Sequence, residues 1–189
     1  ECQLLQMRLA GINGVVADWY GIGPHADHPS IHVATEALFE ATRKFGLTFA
    51  ACYEDRAVDL VVNWQRLDPA LATNELTATL RWMQDHWFSQ PHYVRLDGRP
   101  LLLNFGPMYF RDPAAWQTAF AGLPERPYFF GLHHLWRQAG ADGGFPWVHY
   151  DPWEGAPDQR QILTRIGEVF TYFSSDPRQV LVSAYPGFN

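Results

Sequence analysis

Short, almost uninterrupted apolar runs, each ending in a residue able to do chemistry, alternate along this chain with amphipathic stretches. That alternation leaves few folds open. Residues 14–20, 47–53, 99–105, 127–132, 146–151 and 180–185 read as strands, and 30–44, 74–88, 112–120 and 157–173 as helices. In the first helix Ser30 stands as a cap, Val33, Ala37, Leu38 and Ala41 recur at helical spacing, and Gly46 closes the element. Leu76, Leu80, Met83 and Trp87 share a face of the second, and Ile162, Ile166 and Phe170 a face of the last. Asp112-Pro113 is a cap followed by Pro at the first helical position, and 140–144 is a Gly-rich loop. Strands apolar on both faces, joined by helices, imply a parallel sheet covered by helices.

A doubly wound sheet and a barrel share this order. No Gly-x-Gly-x-x-Gly follows the first strand, which removes the main signature of a dinucleotide fold. The strand ends favour a barrel: Asp18, Glu54 and Asp55, Asn104, His133 and His134, Asp151 and Tyr185 all fall there. Barrel enzymes assemble their sites at that face from several strands. The expectation is a TIM-type (β/α)8 barrel forming one domain over residues 1–189, with about six of its eight strands visible. The ends at Glu1 and Asn189 look cut, so one strand is expected before the chain and one after it.

Eight Trp, eight Tyr and thirteen Phe exceed what a core of this size requires, so some rings are expected to line a surface. Aromatic faces stack on the C–H faces of sugar rings, and the polar edges of Trp and Tyr add hydrogen bonds. The formal charge of −6 with no Lys or Arg run argues against a nucleic-acid partner. No apolar stretch is long enough to span a membrane. Two cysteines, Cys2 and Cys52, exclude a disulfide scaffold and form no zinc spacing. His25, His28 and His32, with Asp27 among them, span a loop and a helix start and are not read as a metal site.

Residues 7–21, ending Ala17-Asp18-Trp19-Tyr20-Gly21, resemble the second-strand region of the 71/99-like glycoside hydrolases. Lys44-Phe45-Gly46-Leu47-Thr48-Phe49, Tyr53-Glu54-Asp55-Arg56 and Asp97-Gly98-Arg99-Pro100-Leu101-Leu102 follow in that group's order, so the resemblance runs over nearly the whole chain. It implies an endo-acting glycoside hydrolase on a barrel, with a carbohydrate substrate, no metal or cofactor, and a secreted or periplasmic location. Family 99 carries a Glu-Pro-Tyr-Glu segment whose second Glu matches Glu54, which implies acid/base work for Glu54. The first Glu falls on Ala51, which cannot take a proton, so a second group must come from another strand.

Glycoside hydrolysis needs two carboxyl groups at the bond, and Asp18 or Asp151 is the expected partner of Glu54. Glu54 and Asp55 point to opposite faces of a regular strand, as do His133 and His134. Asp55 is expected to hold Arg56 or a loop amide as well as being a ligand candidate. Trp19, Tyr20, Tyr53, Arg56, Asn104, His133, His134, Tyr150, Trp153 and Tyr185 complete the candidate sugar-binding set, each weighed against plain packing. A non-catalytic carbohydrate-binding barrel and a polysaccharide-biosynthesis domain are the alternatives.

Overall fold

The computed structural model describes residues 1–147 and, beyond them, Arg160, Gln161, Leu163, Thr164, Gly167, Glu168 and Thr171, all seven helical and inside the helix expected over 157–173. Elements α1 (Cys2–Leu9), β1 (Gly14–Trp19), α2 (His28–Phe45), β2 (Thr48–Tyr53), α3 (Arg56–Asn63) and α4 (Ala72–Met83) come first. Next are β3 (Arg95–Leu96), β4 (Arg99–Asn104), α5 (Pro113–Ala121), β5 (Tyr128–Leu132) and β6 (Gly143–Phe145). The strands β1, β2, β4, β5 and β6 lie side by side in that order, and every neighbouring pair is parallel. This sequential, all-parallel order is a (β/α)-barrel arrangement, the one of the two folds sharing the alternation that the strand ends favoured. The strand expected over 180–185 lies outside the described residues.

Several boundaries differ from expectation for local reasons. Helix α2 begins at His28 rather than Ser30, because Pro29 fits the first turn. Its buried face runs through His28, Thr35, Phe39 and Thr42, while Val33 and Ala37 point outward. Thr35 and Thr42 tolerate burial because their hydroxyls donate to the carbonyls of Ile31 and Phe39. The short helices α1 and α3 and the two-residue β3 carry too little pattern to be expected. Strand β3 pairs antiparallel with β4 across Asp97-Gly98, both at positive φ, the conformation a tight hairpin needs. A strand runs over Gly143–Phe145, where a loop was expected; of the strand expected over 146–151, Pro146 and Trp147 lie past its end and 148–151 are outside the described residues. Two glycines without side chains made it read as loop.

Strand parity sorts the side chains into two cores. Ala50, Cys52, Leu101, Leu103, Phe130, Leu132 and Phe145 form the interior cluster. The intervening residues, among them Ala17, Trp19, Phe49, Ala51, Tyr53, Leu102 and Phe129, face the helices. Leu76, Leu80, Met83 and Trp87 are buried against that second cluster, as their spacing required. The Trp87 ring is its hub, 4.7 Å from Trp19, 4.8 Å from Trp82, 5.4 Å from Phe49 and 5.6 Å from Phe39. Truncating it opens a cavity that no single neighbour can fill. Trp87→Ala is therefore expected to cost about 3–5 kcal/mol in urea unfolding, and a loss below about 1 kcal/mol would show that the ring cluster repacks.

Candidate active site

Counting by twos past the last interior residues leads to the carboxyl ends of the strands. Beyond Cys52 comes Glu54, beyond Leu103 comes Phe105, beyond Leu132 comes His134, and beyond Phe145 comes Trp147. On β1 the same face carries Val16, Asp18 and then Tyr20. Asp18 stands opposite Cys52 in the β1–β2 register, and the Glu54 N–H donates to the Trp19 carbonyl at 2.9 Å. These bonds extend the pairing by one residue and put the Glu54 side chain diagonally above Asp18. The two carboxyl groups are hydrogen-bonded to each other.

Burial, followed by the charge of Asp18 and the bond to it, pushes the Glu54 carboxyl up to about 7, while exposed Arg56 draws it partly back. Desolvation also raises Asp18, but the bond from Glu54 favours its ionised form. The shared proton therefore resides on Glu54, and the two groups titrate as a pair. Burial and the charges of Glu54, Asp18 and Asp27 raise the half-buried phenol of Tyr20. The Cys52 thiol beneath is held protonated by burial and by the same two acids, so it is not a nucleophile.

The structure corrects part of the candidate set. Trp19 and Tyr53 are buried on the helix-facing side and present no ring to a ligand. Asn104 is 0% exposed, and its place in the β4 alternation and its register partner Tyr53 put it on that side too. Asp55 is also fully buried, so it is not a sugar ligand. Its carboxylate accepts from the N–H groups of Met108 (2.9 and 3.0 Å), Tyr109 (3.0 Å) and Phe110 (2.9 Å), the loop-amide role weighed for it. A side chain at Gly106 would meet the Asp55 carboxylate at 2.0 Å, so glycine is required for this clamp. His133 is half-buried and His134 exposed, and both lie in the turn that follows β5 rather than on the strand.

Asp151, Tyr150, Trp153 and Tyr185 lie outside the described residues. Ala51 is buried among helix-facing side chains and its N–H donates to the Tyr93 hydroxyl at 3.2 Å. A carboxylate on that side would lie behind the sheet, which explains why the group beside Glu54 comes from β1. His25 pairs with Glu75 at 2.7 Å, His32 approaches Glu36 at 3.6 Å, and no cluster of metal-ligating side chains forms among the described residues. Sequence reasoning missed Phe105 and Trp147, although the two-residue period from Leu103 and Phe145 points to both.

A cavity of about 350 Å³ lies elsewhere, lined by α5 and Arg126, whose guanidinium is already bonded to Asp142 at 2.7 Å; no carboxylate lines it. The sequence matches no protein-family profile and no curated protein. The fold is similar to that of the family 99 endo-α-mannosidase from Bacteroides thetaiotaomicron, with a TM-score of 0.62 and 16% identity. The match covers 98% of this chain and 55% of that one, so this chain spans little more than half of the enzyme's length. At that identity the likeness shows the barrel fold alone.

Proposed function

We infer that the chain is the acid/base barrel of a glycoside hydrolase that cleaves within a glycan. The observation that carries this reading is the hydrogen-bonded Asp18–Glu54 pair at the carboxyl ends of β1 and β2, with Glu54 held near 7. A carboxylic acid that is still half protonated at neutral pH is suited to deliver its proton to a leaving glycosidic oxygen. The similarity of the fold to an endo-α-mannosidase supports a glycosidic substrate.

Two carboxyls in direct hydrogen bond stand closer than the ~5–5.5 Å of a retaining pair or the ~6.5–9.5 Å of an inverting one. Asp18 thus acts on the same side of the bond as Glu54. It holds the proton on Glu54 before the step and stabilises the returning proton afterwards. As the C–O bond to the leaving sugar breaks, the Glu54 proton passes to the departing oxygen. A water adds to the anomeric carbon from the other side and gives up its proton to a second base, for which Asp151 is proposed. Tyr20 and His134 are proposed to bind hydroxyls of the sugar.

The reading is tested by pH. Cleavage of α-mannan and related glycans, followed as new reducing ends, is expected to fall about tenfold per pH unit above 7 as Glu54 loses its proton. That limb should vanish in Glu54→Gln, leaving a low, flat rate. A rate that keeps rising through pH 8 would remove Glu54 as the acid. The carbohydrate-binding alternative is favoured by Ala51 alone, and binding of a glycan without any new reducing end would select it.

A further inference from the structure

Residues 21–27 lead from β1 to α2, and this loop is laid along α4. At Gly23 a side chain would meet the Glu75 carboxylate at 2.5 Å, and at Gly21 it would meet the Thr79 hydroxyl and the Tyr53 ring at 3.2 Å each. Glu75 and Thr79 stand four positions apart, on one face of α4. His25 fastens the loop there: its Nε2 lies 2.7 Å from the Glu75 carboxylate, and both side chains are largely out of water.

What the loop holds is Tyr20. This residue directly precedes Gly21 and shares the parity of Asp18 on β1. Beyond burial, the charges of Glu54, Asp18 and Asp27 oppose ionisation of its phenol, so the ring stands within reach of the acid pair and stays a donor. The Tyr20 ring also meets the His28 imidazole edge to face, with centroids 5.5 Å apart at 69°. His28 meets His25 in turn, at 5.8 Å and 88°, and its backbone N–H donates to the His25 carbonyl at 2.9 Å. His28 is 3% exposed and its Nδ1 has no hydrogen-bond partner among the described residues, so packing is what holds this ring. Burial, followed by the nearness of His25, pushes its imidazole below the ordinary value. A ring kept neutral at pH 7 braces the phenol without adding a charge beside the acids. Glu75, His25, His28 and Tyr20 thus form one line of contacts from α4 to the carboxyl end of β1.

Resting on the hydrolase reading, we propose that His25, Glu75 and His28 are positioning residues that hold the Tyr20 phenol beside the Asp18–Glu54 pair, as the donor to a hydroxyl of the sugar whose bond is cleaved. A donor displaced by a fraction of its hydrogen-bond length loses most of its effect on the step. Glu75→Ala is therefore expected to lower kcat about tenfold or more, with KM within about threefold, in reducing-end assays on α-mannan and related glycans. His28→Ala, which leaves the bond between His25 and Glu75 untouched, should do the same. Glu75→Gln keeps an acceptor for the His25 N–H and should restore most of the rate. In a Tyr20→Phe background Glu75→Ala should cost nothing further, because the two act through one group. A second readout needs no turnover: NMR of the protein labelled with ¹³C at the tyrosine ring, the Tyr20 signal being the one lost in Tyr20→Phe. In Glu75→Ala that signal should begin to titrate at lower pH than in the parent, as the phenol moves away from the carboxyl groups.

A loss of rate in Glu75→Ala that is as large in the Tyr20→Phe background overturns the proposal, since a general loosening of the fold would act that way. So does a Tyr20 signal that titrates identically in the parent, Glu75→Ala and His28→Ala proteins. Unchanged kcat in Glu75→Ala and His28→Ala, with glycans still cleaved by the wild type, overturns the positioning role and leaves the hydrolase reading standing. Absence of cleavage by the wild type overturns the hydrolase reading and the sugar contact with it, while a shifted Tyr20 titration in the same samples would still uphold the line of contacts from α4.

Discussion

Replacing Glu54 by Gln is expected to lower glycan cleavage by about 10²–10⁴-fold and to make the protein more stable above pH 7. The two effects share one cause. In the fold the Glu54 carboxyl is raised from an ordinary value near 4.5 to about 7, so the native state prefers it protonated. A raised acid contributes its favourable share below the unfolded value, and that share is lost as pH rises through the folded one. Gln keeps the neutral shape and never ionises, so the variant is spared that loss. The gain is present above pH 8, reduced by solvent screening because Glu54 is only partly buried, and fades to nothing below pH 4. Urea unfolding of both proteins across that range measures it, with reducing-end assays on the same samples. A variant that is inactive and also less stable at pH 8 would mean that Glu54 supports the fold rather than the chemistry.

Asp55→Ala should be among the most destabilising substitutions in the molecule, costing about 3–5 kcal/mol. Burial works against the charge of this carboxyl, and the three N–H groups of Met108, Tyr109 and Phe110 offset it. Removing the acceptor strands three inward-facing donors that no other group in the clamp reaches. Asp55→Asn should recover only part of the loss, because both carboxylate oxygens accept and an amide offers one. Hydrogen exchange at the three amides is the direct reading. Acceleration there, with Glu54 still titrating near 7, would assign Asp55 to holding the loop that follows β4. Unchanged protection would show that the loop is kept in place by its own packing.

The adjacent positions Glu54 and Asp55 show how far sequence reasoning reaches here. Both are acids at the end of an apolar run, and the alternation of a strand places them on opposite faces. Carried through every strand, the same rule would have removed Trp19, Tyr53 and Asn104 from the ligand set and brought in Phe105 and Trp147. The rule was legible, but which parity faces the interior was not, because both faces of a buried parallel strand are apolar. Helix α4 shows the other limit: its face through Leu76, Leu80 and Met83 was plain from spacing. In α2 the buried threonines bond to their own helix's carbonyls, so polarity misled the reading of the face.

Local order along the chain determined a parallel sheet covered by helices, the alternation of elements and the residue types that reach the strand ends, since these depend on periodicities of two and of 3.6 residues. The tertiary structure alone decided which of those residues meet. Asp18 lies against Glu54 because interstrand hydrogen bonds set β1 and β2 in one register, with Asp18 opposite Cys52. Asp55 finds its partners more than fifty positions away, in the loop after β4. Register and loop closure are made by backbone bonds between distant segments, and neither leaves a mark in the run of side chains that each segment carries.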